Sequence, residues 1–267
     1  MKLKQHHVEK PWGRESIPQA FGPTNGKRIG EIWFENPTGS DLPLLMKYIF
    51  TNERLSIQVH PSDQQARERG LPRGKSECWY ILDAEPNARL GLGLTDELSA
   101  DELRQVAIDG RIEHFMDWRK VAPGEFYFIP PGTIHAIGAG ITLLEFQQNV
   151  DVTYRLFDYG RPRALHLDDG IAVSKTDPYP EGLVRRADAP TDAILLDGPE
   201  FSVVRASRPD GIPASIDASR RWVMPVTGQV AVGDELAGPG ECIVIEPAVA
   251  MEFANGTIAL IGSEGAL

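Results

Sequence analysis

The sequence predicts a mainly β protein. Short apolar segments alternate or are rich in β-branched and aromatic residues, Gly, Pro and Asp bound them at close intervals, and stretches at helical spacing are few. The segments 30–36, 44–50, 55–60, 77–83, 125–130 and 142–149 each read as a strand on this pattern. In 55–60, Leu55, Ile57 and Val59 share one face and Ser56, Gln58 and His60 the other. That second face is polar, so it meets either solvent or a functional cavity.

Two helix starts stand out. Ser62 and Gln65 form a capping box with Gly70 as the stop, and Ser99 with Glu102 opens a second helix. In the latter, Leu103, Val106 and Ala107 recur at helical spacing and Gly110 ends the run. The stretch 111–118 continues helical, so 96–118 reads as a small helical insertion between two strands.

Around 175–200 the composition turns to Pro, Asp and charge, as in a connector. Strand-like segments resume at 201–207, 220–232, 241–247 and 257–263. The segment 124–137 aligns with 240–253 at a constant offset of 116, which sets Pro131 on Pro247 and His135 on Met251. Upstream, 78–90 resembles 221–232, each with a Trp near its start. These pairs point to an internal duplication. The expected organisation is a catalytic β-barrel at 1–185 and a degenerate second β-barrel at 186–267 that lacks metal ligands.

The formal net charge of −11 disfavours nucleic acid and anionic membrane as partners. A small phosphorylated molecule then requires a local convergence of Lys and Arg. Cys78 and Cys242 are far apart and suggest buried thiols in a reducing compartment. The N-terminal stretch has no apolar core of a secretory signal, and the apolar run 42–50 contains Lys47 and is too short to span a bilayer. A cytoplasmic location is expected.

The chemistry gathers at Gly124, Pro130, Gly132 and His135, spaced as Gly-x5-Pro-x-Gly-x2-His. This spacing resembles the second half-motif of the cupin superfamily, in which a tight turn re-aims a strand so that its His points inward. One His cannot hold a metal; zinc takes about four ligands. Gln58 and His60, two apart on a strand, supply two from one face, and Glu77 lies on the next strand-like segment. Two imidazoles, a carboxylate and an amide oxygen leave room for water or substrate. Each of these residues alone is ordinary on a strand; their convergence in one barrel interior gives them meaning. His6, His7, His114 and His166 read as surface or packing residues.

The resemblance sharpens at QVHPSD (58–63), GKSECWYIL (74–82), PPGTIHAIGAGI (130–141) and DVTYRLFDYGR (151–161), with KPWG (10–13) and IGEIW (29–33) before them. Together they resemble type I mannose-6-phosphate isomerases of the short bacterial form, over roughly residues 8–170; the part beyond about 186 matches only loosely. General cupins usually carry His-x-His in the first motif, so Gln-x-His and the longer loop before Glu77 are departures that this family shares.

The resemblance implies a cupin-type jelly-roll barrel and a zinc site of Gln58, His60, Glu77 and His135. It implies Arg155 as the catalytic arginine, pocket lysines Lys47 and Lys75, and Ser56 near the substrate phosphate. The implied reaction interconverts mannose 6-phosphate and fructose 6-phosphate through an enediol. Lys75 or Glu145 would be the base: a lysine beside a cation has a lowered pKa, and Glu145 is the rival that the sequence does not separate from it. Lys47 with Ser56 would hold the phosphate, in a monomer or homodimer. The alternatives are another cupin metalloenzyme, such as an iron dioxygenase or a different sugar-phosphate isomerase, and a non-catalytic sugar-binding cupin.

Overall fold

Alternating burial along short strands sets the architecture. The structure, a computed structural model, describes residues 1–186, 189–217, 219–247 and 249–265. Ala187 and Asp188 of the expected connector, and Ala248 in the second glycine-led segment, lie outside the described residues.

In chain order the first strands are β1 (Lys4–Arg14), β2 (Ile29–Glu35), β3 (Leu44–Phe50), β4 (Ile57–Val59), β5 (Glu77–Ala84), β6 (Arg89–Leu94), β7 (Met116–Lys120), β8 (Phe126–Ile129), β9 (His135–Ile137), β10 (Ile141–Gln148), β11 (Tyr154–Phe157) and β12 (Val184–Arg185). They form a sheet in the order β1-β2-β3-β10-β5-β8-β12 and a facing sheet β11-β4-β9-β6-β7. There follow β13 (Ala193–Asp197), β14 (Phe201–Ala206), β15 (Arg221–Thr227), β16 (Val230–Val232), β17 (Glu235–Ala237), β18 (Ile243–Ile245), β19 (Glu252–Phe253) and β20 (Ile258–Glu264). These make the sheets β13-β14-β20-β15-β18 and β17-β16-β19. The chain is mainly β, as its alternation predicts. The sheets are open and face each other in pairs; neither half closes into a barrel among the described residues.

The helices are α1 (Asp63–Glu68), α2 (Ala100–Asp109), α3 (Ile112–Phe115), α4 (Leu167–Val173) and α5 (Ala214–Asp217). Both expected capping boxes form, at Ser62 and Ser99. The insertion is less helical than its sequence reads: after the single turn of α3, Met116 and Trp118 pair with Leu94 and Gly91 of β6. Alternate apolar residues beside an open sheet edge outweighed local helix preference. Strand β1 was not anticipated either, because an edge strand that exposes every second residue carries few apolar positions.

Packing divides along the strands. Cys78 and Tyr80 of β5, Leu144 and Phe146 of β10, and Met46 and Tyr48 of β3 share a core with Phe201, Trp222, Met224 and Leu260 of the second half. The opposite faces of these strands carry Trp79, Ile81 and Leu143, which pack with Leu90, Leu92 and Ile137 of the facing sheet. The seven-stranded sheet is therefore buried on both sides. A further cluster sets α2 and α4 against the outer face of β4, β9 and β11. Truncating a fully buried phenylalanine such as Phe146 costs about 3–5 kcal/mol in such a setting.

The two halves repeat one another in strand order. The path β3-β10-β5-β8 recurs as β14-β20-β15-β18, and β9-β6-β7 recurs as β19-β16-β17. The offset of 116 carries through to the backbone: Gly124 and Gly240 have φ of 88° and 90°, and Gly140 and Gly256 have 78° and 76°. Glu125 accepts from the Ala122 amide and Glu241, at the same offset, from Gly238. Among the described residues the second half has no counterpart of β4 or β11; a 3-10 turn and α5 occupy the stretch between β14 and β15.

Candidate metal centre

Two cross-strand rows face each other between the first two sheets. On the seven-stranded sheet, Trp33, Lys47, Glu145 and Trp79 are directly opposed on successive strands. On the smaller sheet the row is Arg155, Gln58 and His135. Ile57 and Val59 turn outward to the helices, so Gln58 and His60 turn inward; Leu55, expected on the outer face, packs inward with Ile137 instead, because the strand proper begins only at Ile57.

His60, Glu77 and His135 converge. One donor atom from each lies within 4.8 Å of the others, and all three residues are buried. His60 Nε2 is 3.5 Å from Glu77 Oε2, and His135 Nε2 is 3.3 Å from Glu77 Oε1. Gln58 Nε2 lies 3.2 Å from His135 Nε2. The sequence-expected set therefore comes together from three strands and the loop after β4.

The group suits a divalent ion. Both ring nitrogens of His60 are buried without a hydrogen-bond partner among the described residues, a costly state unless another group binds there, and the buried Glu77 carboxylate is balanced by the Lys75 ammonium at 2.9 Å. His135 Nδ1 donates to the Thr133 carbonyl at 2.9 Å, which turns the Nε2 lone pair toward Glu77. Burial, with the Lys75 charge, pulls the His60 pKa down to about 3, and burial likewise lowers His135, so both imidazoles are neutral ligands. Gln58 Oε1 accepts from Ser56 Oγ at 3.0 Å. Rotating the amide half a turn would present its oxygen to an ion and its NH2 to Ser56.

The loop geometry explains the motif spelling. A side chain at Gly74 would meet the Ser62 carbonyl carbon at 2.3 Å, so only glycine fits there. Asp63 Oδ1 accepts from the Gly74 amide at 2.7 Å and from Gln148 Nε2 at 3.1 Å. Asp63 thus ties the segment after His60 to the lead-in of Glu77, a role the sequence alone did not suggest.

A cleft of about 260 Å³ opens beside these residues, lined among others by Gln58, Lys75, Glu145 and Arg155. Lys75 Nζ lies 2.9 Å from Glu77, and Lys47 Nζ lies 3.2 Å from Glu145 and 3.9 Å from Glu31. Burial pulls the Lys75 ammonium down, but Glu77 and Glu145 outweigh it and hold the group above the ordinary lysine range. The lowered pKa expected of Lys75 is therefore absent in this geometry. Burial and the nearby Glu77 charge raise Glu145, whose Oε2 accepts from Trp79 Nε1 at 3.0 Å. Ser56 and Lys47 line the same cleft. So do Glu31, Arg163 and His166, which the sequence did not single out; His166, expected to be a packing or surface residue, accepts from the Arg155 amide at 3.2 Å.

No family model matches the chain. A mannose-6-phosphate isomerase of Streptococcus mutans is 42% identical over 146 residues, 52% of this chain and 46% of that protein. A mannose-6-phosphate isomerase of Bacillus subtilis is 39% identical over 174 residues, 60% of this chain and 55% of that one. The crystal structure of mannose 6-phosphate isomerase from Bacillus subtilis matches with a TM-score of 0.78 at 26% identity, over 98% of both chains. The chain is a relative of the mannose-6-phosphate isomerases. In sequence it spans about half the length of the curated relatives it matches, whereas the structural match to the isomerase extends through the second half. No described helix is long and apolar enough to cross a membrane.

Proposed function

We propose that this chain is a zinc-dependent aldose–ketose isomerase that interconverts mannose 6-phosphate and fructose 6-phosphate in the cytoplasm. The observation that carries the reading is the buried convergence of His60, Glu77 and His135, with both His60 ring nitrogens free of hydrogen bonds among the described residues, beside a cleft that gathers five cationic side chains in a chain of opposite net charge. The likeness to isomerases in sequence and fold supports the substrate.

Gln58, His60, Glu77 and His135 would hold the ion, which when bound polarises the sugar oxygens as a Lewis acid. Moving a proton between C2 and C1 requires a base, and Glu145 is favoured over Lys75. Its carboxylate lines the cleft and is raised by burial, whereas Lys75 is ion-paired with Glu77 at 2.9 Å. Lys75 would keep Glu77 oriented. Arg155, directly across from Gln58, brings a permanent charge to the enediolate. Lys47 and Ser56 stand in the cleft on the substrate side. The two halves would act as one catalytic unit with a supporting second domain, as a monomer or homodimer.

The direct test incubates zinc-loaded protein with mannose 6-phosphate and measures fructose 6-phosphate, with and without chelator. Turnover that chelation abolishes and zinc restores supports the reading. Product formed equally in chelator, or none from a zinc-loaded sample, overturns it.

A further inference from the structure

Charge balance within the cleft singles out one residue pair. Five cationic side chains line it: Lys10, Lys47, Lys75, Arg155 and Arg163. The lysines are matched within reach: Lys10 to Glu31 at 3.2 Å, Lys47 to Glu145 at 3.2 Å and Lys75 to Glu77 at 2.9 Å. An ammonium already held this closely has little to offer a second anion. The arginines differ. Among the described residues the Arg155 guanidinium has no ion pair and reaches the Ala164 carbonyl and the His166 ring, each at 3.5 Å, with the charges of Asp158 and Asp151 acting from farther off. Arg163 is paired with Asp158 as Lys75 is with Glu77, neither carboxylate lining the cleft, but Asp158 also takes Arg161, so two guanidiniums share one carboxylate.

That pairing is built with unusual care. Asp158 is 2% exposed at the end of β11. Tyr159 and Gly160 follow with φ of 54° and 75°, two consecutive left-handed residues that reverse the chain. The reversal brings Arg161 and Arg163 back onto the Asp158 carboxylate. Arg163 grips it through two bonds, Nε to Oδ2 at 2.6 Å and Nη2 to Oδ1 at 2.7 Å, while Arg161 Nη1 donates at 3.1 Å. A bidentate fork fixes the plane of the guanidinium and leaves the Nη1 group outside the grip. Burying a carboxylate is costly, and fixing the direction of a cation that faces a ligand space is what this one accomplishes.

We propose that Asp158 is a positioning residue that aims Arg163 into the cleft, where Arg163 anchors the anionic group of the substrate. The proposal rests on the isomerase reading for the identity of that anion, a sugar phosphate. Arg163 and Arg155 line the same cleft, which places both charges on one volume. Arg155 is then left for the reacting end, with Arg163 holding the phosphate at a fixed distance from it.

The test uses zinc-loaded full-length protein and the variants Arg163→Ala, Arg163→Lys and Asp158→Asn. Three quantities are read: KM and kcat for mannose 6-phosphate, the affinity of inorganic phosphate by calorimetry, and zinc content. Loss of a charge-assisted contact to an anion predicts that Arg163→Ala raises KM and weakens phosphate binding by about tenfold or more, with kcat changed less than about threefold and zinc retained. Arg163→Lys should recover part of the loss. Asp158→Asn should weaken the same two constants by a smaller factor, because the cation remains but is no longer aimed. Unchanged KM and phosphate affinity in Arg163→Ala overturn the anchor, as does a fall in kcat at constant KM. Wild-type constants in Asp158→Asn overturn the positioning role. Arg163 is partly exposed, so its variants read the anchor even where Asp158→Asn fails to fold. A wild-type protein that binds phosphate yet makes no fructose 6-phosphate removes the isomerase reading and leaves this test standing.

Discussion

Replacing Glu145 by glutamine separates its chemistry from its packing. The amide has nearly the same shape and can still accept from Trp79 Nε1, now 3.0 Å from Oε2. What disappears is a charge 3.2 Å from Lys47 Nζ, an attraction of ~5 kcal/mol at an effective dielectric of about 20, before desolvation is counted. Three features soften the loss. Glu31 remains 3.9 Å from Lys47, the Trp33 ring lies 4.9 Å beneath it, and the Glu145–Glu77 repulsion is relieved. The net cost should be about 1–2 kcal/mol, less than the ~3–5 expected when a buried charge is stranded. The variant therefore folds, with Tm lower by a few degrees. Its kcat should fall by ~10²–10⁴, the usual contribution of a general base. KM and zinc content should stay close to wild type, because Glu145 is outside the His60–Glu77–His135 group. Steady-state kinetics, metal analysis and a thermal melt on the same sample decide the matter. A kcat within about threefold of wild type would show that another group moves the proton.

Arg155→Ala should lose turnover and keep its zinc, whereas His135→Ala should lose zinc itself; metal analysis beside activity separates the two. The metal-free protein should become less stable as pH falls from 6.5. His60 is pulled down to about 3 in the fold from an ordinary 6.5, so in that window the unfolded chain binds the extra proton and stability drops by about 1.4 kcal/mol per pH unit. His135 acts in the same sense, Glu77 adds to the loss below 4.5, and the raised Glu145 opposes it. Melts in chelator that are flat between pH 6.5 and 5 would contradict the burial of neutral imidazoles. Gly262→Val should destabilise by about 1–3 kcal/mol and depress kcat, since a side chain there meets the Phe146 ring, directly behind Glu145, at 2.8 Å. Urea denaturation and kinetics at saturating substrate check both.

The strands were legible wherever alternation was strong. Leu44–Phe50 matches its expected bounds, and Gln58 and His60 face inward because Ile57 and Val59 face out. Period two pointed to Gln58 and His60 and the glycine-turn motif to His135, while Glu77 needed the family resemblance. The misses have physical causes. Met116–Lys120 reads as helix locally and is recruited by the free edge of β6. Asp63, Glu31 and Arg163 act through partners 11 or more residues away or through a turn, as with Gly74 and Asp63, and no local periodicity marks such contacts. Lys75 shows the limit of inference from neighbours in sequence: Glu77, two residues on, holds the ammonium charged.

The missing counterparts of β4 and β11 bear on how a second centre might be engineered. Placing histidine at Met251 would install one donor just before β19, yet among the described residues that half has no strand where Gln58 and Arg155 stand in the other. A lone imidazole would face the apolar interior of Val230, Ile243 and Ile261. Building a matching donor set there calls for grafting an entire strand pair in place of α5, a requirement of topology that no single substitution meets.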